Sequence, residues 1–319
     1  MEEKYNEIYE ILGSKIKDVL ITQFEKGNRL EELRLRAEKP LVLSAERGSF
    51  FITPGGKITN RIQEAYIVTS RDIKETLTLV SGYSIYAFEE EIKKGFITIK
   101  GGSRIGLCGK TVIEEGLVKT IKHISALNIR IAHEVLGAAN HVISQLLEDQ
   151  RVLNTIIVSP PKCGKTTMLR DIVRQLSNGS PTLGFGGISV AVVDERSEIA
   201  GSYMGIPQND VGIRTDVLDC CPKALGMHMV LRSMSPECVA VDEIGLKDDV
   251  YAIEEILNSG TSLICTAHGS IAGLAQKPYI GELIKRHMFD RIIALSFSGQ
   301  KRQAAVYDKN LNPIKCNNP

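Results

Sequence analysis

The chain has 319 residues, 43% of them hydrophobic and 24% charged, which is the composition of a globular protein long enough for two domains. A net charge of +1 argues against a broadly basic nucleic-acid binder, and 5% aromatic residues with no Trp leave little for stacking on bases. The seven cysteines form no C-x-x-C pair, so they read as reduced, buried thiols in a cytosolic protein rather than as a disulfide framework or zinc site.

The N-terminus, MEEKYNEIYEILGSKIKDVL, lacks a basic stretch followed by an apolar one, so no secretory signal is expected. No apolar run reaches the ~18 residues that span a bilayer. A soluble protein is expected, touching membrane only through partners. Residues 1–24 read as one amphipathic helix, with Tyr5, Ile8, Tyr9 and Leu12 on a face that Ile16, Val19 and Leu20 continue past Gly13. LEELRLRAEKPLVL then alternates as a strand, with Leu33 and Leu35 inward and Arg34 and Arg36 outward. Short strands follow over 41–52, before the turn at Pro54-Gly55-Gly56. Ser70 is placed to cap a helix over 70–80, and a second helix is expected near 84–91. From Gly95 to Ile131 the pattern is a β-meander with glycine turns at 101–102 and 116. Residues 1–132 therefore read as an α+β N-terminal domain.

Beyond it, from 133 to 319, strands and helices alternate. A helix is expected over about 138–149, then strand 155–158, helix 165–176 stopped by Gly179, and strand 188–195. A long irregular segment precedes a helix near 223–233 and strand 238–243. A helix over 248–258, burying Val250, Ile253, Ile256 and Leu257, and strand 262–268 complete the series. Continuous apolar strands between helices predict an α/β domain with a mostly parallel sheet. The tail KNLNPIKCNNP is polar and expected to fray.

VSPPKCGKTTMLRD, residues 158–171, joins a strand to a helix through a glycine-lysine-hydroxyl series. A tight turn there aims backbone N–H groups and a helix N-terminus at one point, as polyphosphate requires. The candidate nucleotide binders are Pro161, Lys162, Cys163, Gly164, Lys165, Thr166 and Thr167, with Thr166 placed to offer a hydroxyl to Mg²⁺. The pattern G-x-x-x-x-G-K-[ST] departs at Ser159, where a left-handed backbone would cost about 1–2 kcal/mol. Three more strands end in polar residues: Asp194-Glu195, Asp242-Glu243, and Thr266 with His268. A lone acidic pair is ordinarily a solvated one. Four such ends on one edge of a parallel sheet, where ligands bind, point to a Mg-nucleotide site. Asp242 is the candidate metal ligand, Glu243 or Glu195 the base that activates water, and His268 a sensor of the γ-phosphate. Cys163 reads as a small residue that fits the loop rather than as a redox switch.

SPPKCGKTTMLRD, VAVVDERSEIAG, VGIRTDVLD, VLRSMSPECVAVDEIG and TAHG together resemble the stage III sporulation protein AA family, a branch of the secretion ATPase superfamily. EELRLRAEKPL, GFITIKGGSRIGLCG and ISALNIRIA extend the resemblance over nearly the whole chain. It implies a RecA-like P-loop ATPase domain behind a smaller N-terminal domain, assembled as a homo-oligomeric ring, a hexamer, that uses ATP and Mg²⁺. By this resemblance Gly164, Lys165 and Thr166 match the Walker A motif, Asp194-Glu195 the acidic box, Asp242-Glu243 Walker B, and His268 the histidine box. Arg104 and Arg130 match the N-terminal-domain arginines that reach nucleotide in that superfamily. Arg34 and Arg36 are weaker candidates, and Arg214 and Arg232 stand between a subunit boundary and structural salt bridges. An SPP opening is usual in the sporulation branch. Two departures remain: Asp242 where secretion motors often carry Gly, and Ser103 where the family is expected to carry His. The implied setting is the mother-cell face of the outer forespore membrane, with channel proteins of the same operon as partners and no nucleic acid. A RecA-like DNA motor and a nucleotide-gated scaffold with negligible turnover are the alternatives.

Overall fold

The computed structural model describes residues 3–25, 29–45, 48–82, 88–274, 276–298 and 301–314. The chain divides into two compact units, Met1–His133 and Glu134–Pro319.

The first unit opens with α1 (Glu3–Ile11) and α2 (Ser14–Glu25), two helices where sequence periodicity predicts one. The break falls at Gly13, whose N–H donates to Thr76 Oγ1 at 3.0 Å, while Ser14 N–H donates to the Glu75 carboxylate at 3.0 Å. These tertiary bonds start a new helix, and the apolar face continues across the break, with Ile8, Leu12, Ile16 and Leu20 all buried. The strands are β1 (Leu30–Arg36), β2 (Lys39–Pro40), β3 (Val42–Ala45), β4 (Gly48–Ile52), β5 (Ile58–Thr59) and β6 (Ile67–Val68). After them come α3 (Ser70–Val80), α4 (Glu89–Lys93), β7 (Phe96–Thr98), β8 (Arg104–Glu114) and β9 (Leu117–Arg130). Thr69 rather than Ser70 caps α3, through a capping box with Asp72. The helix expected near 84–91 lies partly outside the described residues; its described part is α4. The sheet runs β5-β4-β3-β1-β9-β8-β7 and is antiparallel throughout. Leu33 and Leu35 of β1 point inward, as their alternation predicts.

The second unit begins with turns and a short 3₁₀ segment, Ile143–Leu146, where a helix over 138–149 is expected. Ala139, Val142, Ile143 and Leu146 do have helical spacing and are all buried. The backbone goes elsewhere. Gly137 and Ala139 N–H groups donate to the Asp171 carboxylate at 3.1 and 2.7 Å. Asp149 and Gln150, at φ 46° and 65°, turn the chain between β10 (Leu147–Glu148) and β11 (Arg151–Val152).

There follow β12 (Thr155–Ser159), α5 (Lys165–Asn178), β13 (Val190–Asp194), β14 (Thr215–Asp219), α6 (Lys223–Met234) and β15 (Cys238–Val241). Then come α7 (Lys247–Asn258), β16 (Ser262–His268), α8 (Ile271–Leu274), α9 (Ile280–Lys285), β17 (Arg291–Ser298), β18 (Lys301–Asp308) and β19 (Pro313–Ile314). The eight-stranded sheet runs β14-β13-β15-β16-β12-β17-β18-β19. It is parallel from β14 to β17 and antiparallel beyond. β14 lies inside the segment that reads as irregular, and pairs with β13 as an edge strand. The tail expected to fray supplies β19, paired to β18; residues 315–319 are outside the description.

Strand alternation divides the core into two. Ile157, Val190, Val192, Ala240 and Ile264 pack toward α5 on one face. Ile156, Val158, Val193, Val239 and Val241 pack with buried residues of α6, α7 and α9 on the other. Val250 and Leu257 of α7 are only partly buried, although helical periodicity places them inward. Of the cysteines, Cys163, Cys238 and Cys265 are buried; Cys108 is exposed and Cys220 and Cys221 are half-buried, so the expectation of buried thiols holds for only part of the set.

Candidate nucleotide site

β12, β13, β15 and β16 are parallel, so their carboxyl ends meet one edge of the sheet. The loop between β12 and α5 lies there. Ser159 ends β12, fully buried, and is not among the residues with positive φ. The left-handed positions are Lys162 at φ 64° and Gly164 at φ 90°. Replacing the pattern's first glycine with serine therefore carries no backbone strain of its own; the strain sits at Lys162, at about 1–2 kcal/mol. Ser159 Oγ donates to the Pro160 carbonyl at 2.7 Å. Cys163 turns its side chain into the α5-side core, whereas Pro161 and Lys162 are exposed.

Lys165 opens α5 and is 6% exposed. Its ammonium lies 2.9 Å from His268 Nδ1 and 3.5 Å from both Ser159 oxygens. An ammonium only donates, so Nδ1 accepts and the imidazole proton sits on Nε2. That Nε2–H donates to Glu243 Oε1 at 2.6 Å. Arg196 donates to the other oxygen of Glu243 at 2.8 Å. One chain of bonds thus links the lysine that opens α5, the β16 histidine and the glutamate in the turn after β15. Burial pushes the Lys165 pKa down, and Asp242 and Glu243 pull it back up.

Thr166 Oγ1 donates to Asp242 Oδ2 at 2.7 Å, and Thr266 Oγ1 donates to Asp242 Oδ1. Glu243 stands at φ 54°, with its N–H bonded to Thr266 Oγ1 at 2.9 Å. A hydroxyl and a carboxylate are hard oxygen donors, which suit Mg²⁺. Among the described residues no group of three or more His, Cys, Asp or Glu could hold a metal alone. The Thr166 hydroxyl and Asp242 carboxylate would fit Mg²⁺ if phosphate oxygens and water filled its remaining positions.

The acidic pair at the end of β13 splits. Asp194 is 2% exposed and accepts the N–H groups of Glu198, Ile199 and Ala200 at 2.8, 3.0 and 2.8 Å. Burial raises its pKa to about 6. It shapes the following loop. Glu195 is ion-paired with Lys223 at the start of α6, and both line a small cleft with Arg196, Glu198, Asp242 and Glu243. Arg196 and Lys223 have no strong signal in the sequence. Arg196 follows the Asp194-Glu195 pair and Lys223 opens α6 after Pro222, and they are recognisable only once β13, α6 and β15 are side by side.

Arg214 donates to the Ser177 carbonyl at 2.7 Å, a structural tie. Arg232 lies in the last turn of α6, exposed. In the first unit Arg104 and Arg130 face each other as register partners on β8 and β9, and the Arg104 guanidinium stacks on the Phe96 ring at 4.5 Å. Ser103 is buried, its hydroxyl accepting the Ala132 N–H at 3.0 Å. Arg34 pairs with Glu32 on its own strand.

Sequence comparison decides the family. A model of the family "Sporulation stage III, protein AA" matches residues 2–312. The chain belongs to that family. It is 41% identical over 312 residues to stage III sporulation protein AA of Bacillus subtilis (strain 168), covering 97% of each chain. Among solved structures it is similar to the ATPase DotB of Legionella pneumophila, with a TM-score of 0.55, 14% identity, and 90% of this chain and 78% of that one covered. It is also similar to the pilus retraction motor PilT with bound ADP, with a TM-score of 0.53, 15% identity, and coverage of 90% and 81%. At such identities the likeness is one of fold. This family member has a RecA-like P-loop domain with a mostly parallel sheet, preceded by an α+β unit.

Proposed function

We propose that the chain is a Mg²⁺-dependent ATP hydrolase of the secretion-motor kind. The observation that carries this reading is the meeting of Lys165, Thr166, Asp242, Glu243 and His268 at one sheet edge. The family membership and the fold shared with the ATPase DotB and the ADP-bound pilus retraction motor PilT support it. Loop backbone groups from Pro161 to Thr167, with the Lys165 ammonium, bind the β- and γ-phosphates. Thr166 and Asp242 would hold Mg²⁺, which would neutralise phosphate charge. Glu243 orients the attacking water and takes its proton. His268 fixes the Glu243 carboxylate and ties it to Lys165, so occupation of the lysine by phosphate is felt at the base. Glu195, held by Lys223, is the alternative base.

Charge on the transferred oxygens calls for an arginine. Arg104 and Arg130, supplied within a ring of six copies, are the proposed donors. The ring would act on membrane proteins of a sporulation channel, at the mother-cell face of the outer forespore membrane. No helix among the described residues is long and apolar enough to cross a membrane; membrane contact would lie with those partners.

The test is ATP turnover by the wild type and by Lys165→Ala, measured with oligomer mass across protein concentrations. Turnover that disappears in the variant, and rises per subunit as copies assemble, is the expected result. Equal turnover in both chains would refute the assignment. Tight ATP binding by a monomer without turnover would favour a scaffold, and steeply salt-dependent DNA binding a DNA motor.

A further inference from the structure

Thr266 is fully buried on β16, with β15 on one side and β12 on the other. The last register pair between β15 and β16 is Val241 with Cys265. Thr266 is one residue further on, abreast of the turn that carries Asp242 and Glu243.

Its groups bond to three consecutive residues of that turn. The hydroxyl donates to Asp242 Oδ1. The same oxygen accepts the Glu243 N–H at 2.9 Å. The Thr266 carbonyl accepts the Ile244 N–H at 2.9 Å. A carboxylate cannot donate, so the single hydroxyl proton must point to Asp242, leaving a lone pair free for Glu243 N–H. Asp242 is then held from both sides, by Thr266 on Oδ1 and by Thr166 on Oδ2. Glu243 has φ 54°, a conformation that persists in a non-glycine residue only when its surroundings fix it.

We infer that Thr266 is the positioning residue of the site, orienting the Asp242 carboxylate toward Mg²⁺ and pinning the strained turn that presents Glu243. The inference rests on the ATPase reading above. It gives a specific task to a residue that the sequence marks only as part of a polar strand end. Valine matches threonine in shape but has no hydroxyl, so Thr266→Val removes both hydroxyl bonds and leaves the carbonyl bond to Ile244. Serine keeps both.

The experiment uses the full chain and three measurements: thermal midpoint, binding of a fluorescent ADP analogue with and without Mg²⁺, and ATP turnover against Mg²⁺ concentration. Residues that orient metal ligands typically account for about 10–100-fold in metal affinity or activity. Thr266→Val is therefore expected to need about 10–100-fold more Mg²⁺ for half-maximal turnover, and to lose the tightening of nucleotide binding by Mg²⁺. Its Mg²⁺-free nucleotide binding should stay near the wild-type value, and Thr266→Ser should restore the Mg²⁺ response. Wild-type Mg²⁺ dependence in folded Thr266→Val would overturn the inference. So would a uniform loss of stability and of all binding that serine does not rescue, because that marks a purely structural residue. Should the wild type bind nucleotide without hydrolysing it, the ATPase reading fails, while the Mg²⁺ effect on nucleotide binding still decides the role of Thr266.

Discussion

Glu243→Gln separates the base from everything else the residue does. The glutamine amide has one oxygen and one NH₂ group where the carboxylate had two acceptors. The oxygen can keep the His268 Nε2–H, bonded at 2.6 Å in the wild type. The NH₂ then faces Arg196, donor against donor. Arg196 is 63% exposed at its side chain, so it can turn into water. An exposed pair of this kind is worth about 0.2–1 kcal/mol. The backbone bond from Glu243 N–H to Thr266 is untouched. The thermal midpoint should therefore fall by no more than about 2–4 °C. Nucleotide binding through Lys165 and Thr166 should survive. Loss of a general base costs about 10²–10⁴-fold in rate, or roughly 3–5 kcal/mol of barrier. The assay is steady-state phosphate release beside equilibrium binding of a fluorescent ATP analogue. Unchanged phosphate release would refute the assignment and pass the role to Glu195. Weakened binding with a large fall in midpoint would instead make Glu243 a structural residue.

Two further outcomes follow from the same geometry. Arg104→Ala should lower turnover of the assembled protein by about 10³-fold or more, as loss of an arginine finger does, and leave ATP binding intact; an unchanged rate in assembled protein would remove Arg104 from the site. Asp194 has its pKa raised from 3.8 to about 6 by burial. A raised acid binds its proton more tightly when folded, so its contribution to stability is complete below pH 3.8 and is lost as pH rises through about 6. At about 1.4 kcal/mol per pH unit of difference, this is on the order of 3 kcal/mol. Urea unfolding from pH 4 to 7.5 should show that slope in the wild type and lack it in Asp194→Asn, and an identical slope in the two chains would contradict it.

β12, β13, β15 and β16 were the most legible part of the fold, because a strand buried on both faces must be continuously apolar. VAVVD and SLICTAH leave little choice. The loop at Lys165 was legible for a chemical reason, since small residue, lysine and hydroxyl in series serve phosphate and little else. The elements that the sequence misplaced were decided by partners distant in the chain. Ala139, Val142, Ile143 and Leu146 carry helical spacing, yet Asp171 takes the backbone N–H groups of Gly137 and Ala139 and the segment stays in turns. Gly13 sits inside a periodic stretch, and Thr76 claims its N–H. β14 was hidden because an edge strand is only partly buried, with Val217 against one core and Leu218 against the other, and so keeps polar residues between turn-like neighbours.

The site divides in the same way. Residue type and order alone marked Lys165, Thr166, Asp242, Glu243 and His268 as the candidates to bind phosphate, hold Mg²⁺ or move a proton. Only the tertiary structure decided which of them bond to one another. Parallel pairing of β12, β15 and β16 sets Lys165 on His268, His268 on Glu243, and Thr266 between Asp242 and Glu243. It also turned Asp194 away to hold a loop and left Glu195 with Lys223. The physical reason is range. Periodicity and turn chemistry act over a few residues and are written locally, whereas a hydrogen bond between residues 165 and 268 exists only after the sheet has brought its strands into register.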